Sequence, residues 1–77
     1  ERLKMVEKAE AYLKEGGLSE CRVRCQGSTA RIEIPQDELK HFFNKYNLSD
    51  LVQYFSNLGF KCTSLDLEGL VSGKLNR

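Results

Sequence analysis

Seventy-seven residues leave room for one domain with a thin core and exclude a chain holding separate nucleotide and substrate domains. Lys and Arg number 12 against 11 for Asp and Glu, so the net charge of +1 lacks the basic excess of a general nucleic-acid binder. The composition is globular, at 40% hydrophobic and 30% charged; no secretory signal is visible, and no apolar run approaches the roughly 20 residues of a membrane span.

The first residue is Glu1, not Met, as expected for a piece of a longer chain or a processed product. Residues 2–15 predict an amphipathic helix, with Met5, Val6, Ala9, Tyr12 and Leu13 at helical spacing. Glu10 and Lys14 stand in the favourable i,i+4 order for an ion pair. Gly16-Gly17 ends the helix.

Residues 20–34 predict a β-hairpin turning at Gly27-Ser28. Its register pairs residues whose numbers sum to 55. Cys25 then faces Ala30 and Val23 faces Ile32 on the core side, with Cys21 in the same phase. On the other side Arg24 faces Arg31 and Arg22 faces Glu33.

Pro35 ends the second strand. Residues 36–46 predict a helix burying Leu39, Phe42, Phe43 and Tyr46. After Asn47, Ser49 is the expected N-cap of a helix burying Leu51, Val52, Phe55 and Leu58, with Gly59 at its C′ position. A third strand is expected over 60–67. Its inward face is ambiguous: Phe60 and Cys62 argue for one phase, Thr63, Leu65 and Leu67 for the other. The tail, 68–77, has little apolar periodicity.

The order α-β-β-α-α-β predicts an α+β two-layer sandwich, a three-stranded mixed sheet with helices on one face. Strands two and three are joined by a crossover and should run parallel.

The chemistry sits on the hairpin's outer face. Arg24 opposite Arg31 is a like-charge pair, with Arg22 beside it. Arginine suits forked recognition of phosphate or carboxylate, so one reading is an anion site with Glu33 orienting Arg22. The other is a solvated sheet face carrying an Arg22–Glu33 surface pair worth at most about 1 kcal/mol.

Three cysteines cannot all pair internally and point to a reducing, cytoplasmic compartment. Cys21, Cys25 and Cys62 are expected as core packers rather than metal ligands, because their spacing is not that of a zinc knuckle. His41 is a surface residue without a catalytic partner. Asp66 and Glu68, near the third strand's end, could serve acid/base or metal work. No phosphate-cradling loop, G-x-G-x-x-G or H-E-x-x-H occurs, so no catalytic residues are assigned.

The segments Arg22-Val23-Arg24, Ala30-Arg31-Ile32-Glu33-Ile34-Pro35, Gly59-Phe60-Lys61 and Leu65-Asp66-Leu67-Glu68-Gly69, with Ser72-Gly73 and Leu75-Asn76, resemble the carboxy-terminal region of the LarE family. Val6-Glu7-Lys8-Ala9-Glu10 resembles the first helix of that region. These proteins are PP-loop ATP pyrophosphatase-like, ATP-dependent sacrificial sulfur transferases.

The resemblance implies a parent whose amino-terminal domain uses ATP and Mg to adenylate a carboxylate of a pyridinium nucleotide. A cysteine of that parent then donates its sulfur, and the product feeds a nickel-pincer cofactor. Residues 1–77 would be an accessory domain binding the substrate phosphate. The family associates the positions of Arg22 and Arg24 with that phosphate and places the acid at Glu33 nearby; Arg31 is expected to support them. The implied partners are the upstream ATP-binding domain, the nucleotide substrate and further copies of the chain, with no nucleic acid and no membrane.

Departures are Gln26 for a frequent His, Leu70-Val71 for a Tyr-Arg pair, Lys74 for Ser, and Cys25 and Cys62 for His or aromatic residues. Some relatives hold an iron–sulfur cluster with three cysteines, at least one of them upstream, so that role is not carried to these three. The alternative function is a ligand-free α+β interaction or oligomerisation module.

Overall fold

The computed structural model describes residues 2–70; the features read at Val71, Ser72-Gly73, Lys74 and Leu75-Asn76 lie outside them. The first helix, α1, runs Arg2–Glu15. Strands β1 (Arg22–Gln26) and β2 (Thr29–Glu33) form the antiparallel hairpin in the predicted register, Arg22 opposite Glu33 through Gln26 opposite Thr29. Only two residues turn the chain. Gly27 takes φ 59 at the first central position, the conformation a II′ turn requires there.

A short 3₁₀ turn over Gln36–Glu38 precedes α2 (Leu39–Lys45), so the predicted helix begins three residues late. Phe42 is buried, but Phe43 is 52% exposed, against expectation. Consecutive residues on a helix lie about 100° apart, and two turns can turn only one of the pair to the core. The same rotation separates buried Leu51 from Val52, which is 50% exposed.

Helix α3 spans Leu48–Leu58. Its N-cap is Asn47, not Ser49: the Asn47 side-chain oxygen accepts the Asp50 N–H at 3.0 Å. At the other end the Gly59 N–H donates to the Ser56 carbonyl and the Phe60 N–H to the Phe55 carbonyl. This is the Schellman pattern, and its customary apolar contact is Phe60 on Phe55, ring centroids 6.0 Å apart. Phe60 therefore owes its burial to the helix cap and says nothing of the strand's phase.

Strand β3 is shorter than expected, Cys62–Leu65, and runs parallel to β2. Thr63 sits beside Ala30 and Leu65 beside Ile32, which resolves the inward face in their favour. The sheet order is β1-β2-β3.

The core lies between the sheet and the helices. Ala9 and Leu13 of α1, Val23, Ala30 and Ile32 of the sheet, and Leu51 and Phe55 of α3 are almost fully buried. Each large apolar side chain here contributes about 1.5–3 kcal/mol. Two of the three cysteines depart from the core assignment. Cys21 is buried, Cys25 half-buried and Cys62 exposed, because the β3 phase turns Cys62 outward.

Glu10 makes a contact that the helix pattern does not contain. Instead of pairing with Lys14, its carboxylate accepts the Val23 N–H at 2.9 Å, tying α1 to the edge of β1. Glu10→Ala is expected to destabilise the fold by about 1.5 kcal/mol, the lower end of the range for a hydrogen bond to a charged group. Amide exchange checks this: Val23 should lose protection out of proportion to its neighbours, and equal loss along β1 would contradict the assignment.

Candidate functional site

The outer face of the sheet carries no described helix, and strand alternation delivers its side chains. β1 presents Arg22 and Arg24, β2 presents Arg31 and Glu33, and the residue following β3 is Asp66. The four predicted site residues are thus brought to one face, with a contact pattern that differs from the expected one.

Glu33 does not pair with Arg22, its cross-strand neighbour. Its Oε1 accepts from Arg24 Nε at 3.3 Å and its Oε2 from Arg31 Nη2 at 3.0 Å. The like-charge pair Arg24–Arg31 is therefore bridged by a carboxylate of the chain itself. Glu33 is 2% exposed, while the two arginine side chains are 30% and 28% exposed and form its cover. Taking a carboxylate out of water is tolerable only with such partners.

Asp66 is a second offset charge, beyond the single carboxylate expected at this face. Its Oδ2 lies 3.9 Å from Arg31 Nε, an ion-pair distance too long for a hydrogen bond. Arg31 Nε is inaccessible to solvent and has no hydrogen-bond acceptor among the described residues. Arg31 Nη1 donates to Gln26 Oε1 at 3.3 Å.

A tight turn over 66–70 sets the position of Asp66. Its Oδ1 accepts the Glu68 N–H at 2.9 Å and its carbonyl accepts the Gly69 N–H at 3.1 Å. The Asp66 N–H donates to the Ile32 carbonyl and the Leu70 N–H to the Ile34 carbonyl, both at 2.9 Å. Leu65-Asp66-Leu67-Glu68-Gly69 thus reads structurally as a strand end, a side-chain-bonded turn and its glycine. The sequence signal was present, since Asp66 falls two residues from Ser64 in the outward phase, but it needed the face of β3 to be known.

Arg22 is exposed and meets no carboxylate among the described residues. Its donors and the terminal nitrogens of Arg24 remain available to a ligand. Among the described residues, three arginines against Glu33 and Asp66 leave this face one positive charge in excess.

The remaining candidates are chemically quiet. Burial, with Glu10 adding to it, pushes the Cys21 thiol up from its ordinary range, against smaller opposite pulls from Lys14 and Arg22. A thiol so held is protonated near neutrality and a poor nucleophile. His41 is exposed on α2. Among the described residues no three His, Cys, Asp or Glu side chains gather as a metal site. No described helix is long and apolar enough to cross a membrane.

The fold and face define an α+β sandwich whose bare sheet surface carries arginines locked on a buried carboxylate. No family model matches the chain. It is similar to an uncharacterized protein of Synechocystis sp., 47% identical over all 77 residues, which is 29% of that protein. It is also similar to pyridinium-3,5-bisthiocarboxylic acid mononucleotide synthase of Lactiplantibacillus plantarum, 38% identical over 69 residues, 88% of this chain and 24% of the synthase. The chain spans less than a third of the length of these curated relatives.

Proposed function

We propose that the chain is an accessory domain of an ATP-dependent sulfur transferase of the LarE type, acting on a pyridinium mononucleotide on the way to a nickel-pincer cofactor. In this reading the domain holds the substrate's phosphate and contributes to oligomer contacts. Arg22 and Arg24 grip the anion, Arg31 supports them, and Glu33 fixes Arg24 and Arg31. ATP and Mg belong to a separate ATP-binding domain of the parent protein, in the cytoplasm. The reading rests on one observation above all: Arg24 and Arg31 are locked side by side while Arg22 stands beside them without a carboxylate partner. The 38% identity to a mononucleotide synthase supplies the ligand class.

A second reading, a ligand-free interaction module, is favoured by Asp66. With two carboxylates on the face, most of the arginine repulsion is already relieved without an anion.

Titration with inorganic phosphate and with a pyridinium mononucleotide, followed by NMR, separates the two. At low salt the amides of residues 22–33 are expected to shift, and the shifts should weaken in Arg22→Ala, which leaves the Glu33 pairs intact. Binding should fade as salt rises, since screening acts over about 10 Å at 0.1 M. Unmoved amides would establish the ligand-free reading instead, and equal movement in the variant would remove Arg22 from the anion site.

A further inference from the structure

The two edges of the sheet are unlike. At β1 the Glu10 carboxylate occupies the Val23 N–H, and α1 packs alongside. At β3 the Cys62 N–H donates to the Ser28 carbonyl and the Asp66 N–H to the Ile32 carbonyl, so the even-numbered residues turn their backbone groups toward β2. Alternation then turns the N–H and C=O of Thr63 and Leu65 to the open side, and among the described residues neither meets a partner there. Edge strands of monomers are usually blunted by a charge, a proline or a bulge. Cys62-Thr63-Ser64-Leu65 has none of these.

We propose that β3 pairs antiparallel with β3 of a second copy about a two-fold axis through Ser64, joining two three-stranded sheets into one of six strands. The register follows from the backbone. Only Thr63 and Leu65 offer outward groups, so Thr63 must lie opposite Leu65 of the partner subunit, and Leu65 opposite Thr63 of the partner subunit. Centring on Ser64 engages every outward N–H and C=O of both strands. Ser64 then meets its own copy as a non-hydrogen-bonded pair, the closer of the two antiparallel pair types, and its small exposed side chain permits that approach.

Three further observations favour a second copy over a foreign strand. The strand is uncharged, so it meets itself without like-charge repulsion. An apolar groove of about 270 Å³ lies beside it, rimmed by Phe43, Val52 and Leu67, all exposed in the single chain. Because α3 packs on β3, a two-fold at this edge brings the same apolar flank of both copies together. Finally, a two-fold contact uses the same edge of both copies, so this pairing closes at two copies; at the opposite edge Glu10 holds the Val23 N–H. The proposal specifies the surface for the oligomer contacts of the functional reading and does not depend on the anion site, whose titration is a separate measurement.

Sedimentation of the 77-residue chain up to about 1 mM should show a monomer–dimer equilibrium. Ser64→Cys under mild oxidation should give a cross-linked dimer, with the new disulfide joining the two introduced thiols by mass mapping, a bond the pair spacing allows. Ser64→Lys sets two ammonium groups across the axis and should raise the dissociation constant by up to about fivefold. Thr63→Pro removes an outward N–H and no bond within the sheet, and should give a folded monomer by circular dichroism. Because Ser64 is an exposed surface residue, Ser64→Lys keeps the test decisive where the proline variant fails to fold. A chain that stays monomeric over this range overturns the proposal, as does a dimer indifferent to Ser64→Lys.

Discussion

Glu33→Ala is expected to destabilise the fold by about 3 kcal/mol, at the lower end of the loss for breaking a buried ion pair. The reason is what remains behind. Arg24 and Arg31 stand directly opposite each other across the hairpin, and the Glu33 carboxylate is their shared counter-charge, at 3.3 and 3.0 Å. Removing it leaves two adjacent guanidinium groups and, among the described residues, Asp66 as the remaining carboxylate within ion-pair distance, 3.9 Å from Arg31. The arginines keep some access to water, which is why the loss should fall short of that for a fully enclosed pair. At a urea slope of about 1 kcal/mol per molar, the unfolding midpoint should drop by about 3 M. Glu33→Gln should recover part of the loss through its remaining acceptor. A midpoint for Glu33→Ala within about 0.5 M of the parent chain would show that the guanidinium groups do not need this carboxylate.

Gly69→Ala should be of similar size. Gly69 has φ 82, a region in which a Cβ costs about 1–2 kcal/mol. A Cβ there would also run into the Ile34 carbonyl oxygen and lie 3.0 Å from the Gln36 nitrogen. Both are backbone atoms, so no side chain can swing away to make room. The turn over 66–70 would have to lift from the end of β2, breaking the Leu70–Ile34 hydrogen bond and moving Asp66 away from Arg31. A total loss of about 3 kcal/mol is expected, a large share of the ~4–12 kcal/mol typical of a chain this size. Thermal unfolding reads it directly, with Gly27→Ala as control: that site also has positive φ, but nothing lies within 4 Å of its added Cβ. Equal destabilisation of the two variants would remove the close-contact part of the account.

The hairpin's register was legible because its pattern has period two on both sides of a turn short enough to fix it. The α-β-β-α-α-β order and the parallel third strand followed from the same reasoning. Legibility ended where burial depends on partners distant in the chain. Phe43 beside Phe42 and Val52 beside Leu51 present one apolar run each, and only packing decides which member turns inward. Glu10 looks like a surface acid four residues from a lysine, yet its acceptor is used by a strand 13 residues on. Glu33 is the sharpest case. Alternation assigns it to the bare face of the sheet, where a carboxylate should be wet. It is dry because two arginines fold over it, a property of three side chains together and of no one position.

The burial of Glu33 also divides the arginines into two kinds. Arg24 and Arg31 have already surrendered much of their rotamer freedom to the carboxylate, so in the proposed anion site a ligand would find part of its cradle preorganised. Ordering a long side chain on binding otherwise costs about 0.5–1.5 kcal/mol. Arg22, exposed and without a carboxylate partner, still carries that entropy and must give it up in the encounter. In that proposed site the carboxylate-bound pair would set where an anion sits, and the exposed arginine would capture it.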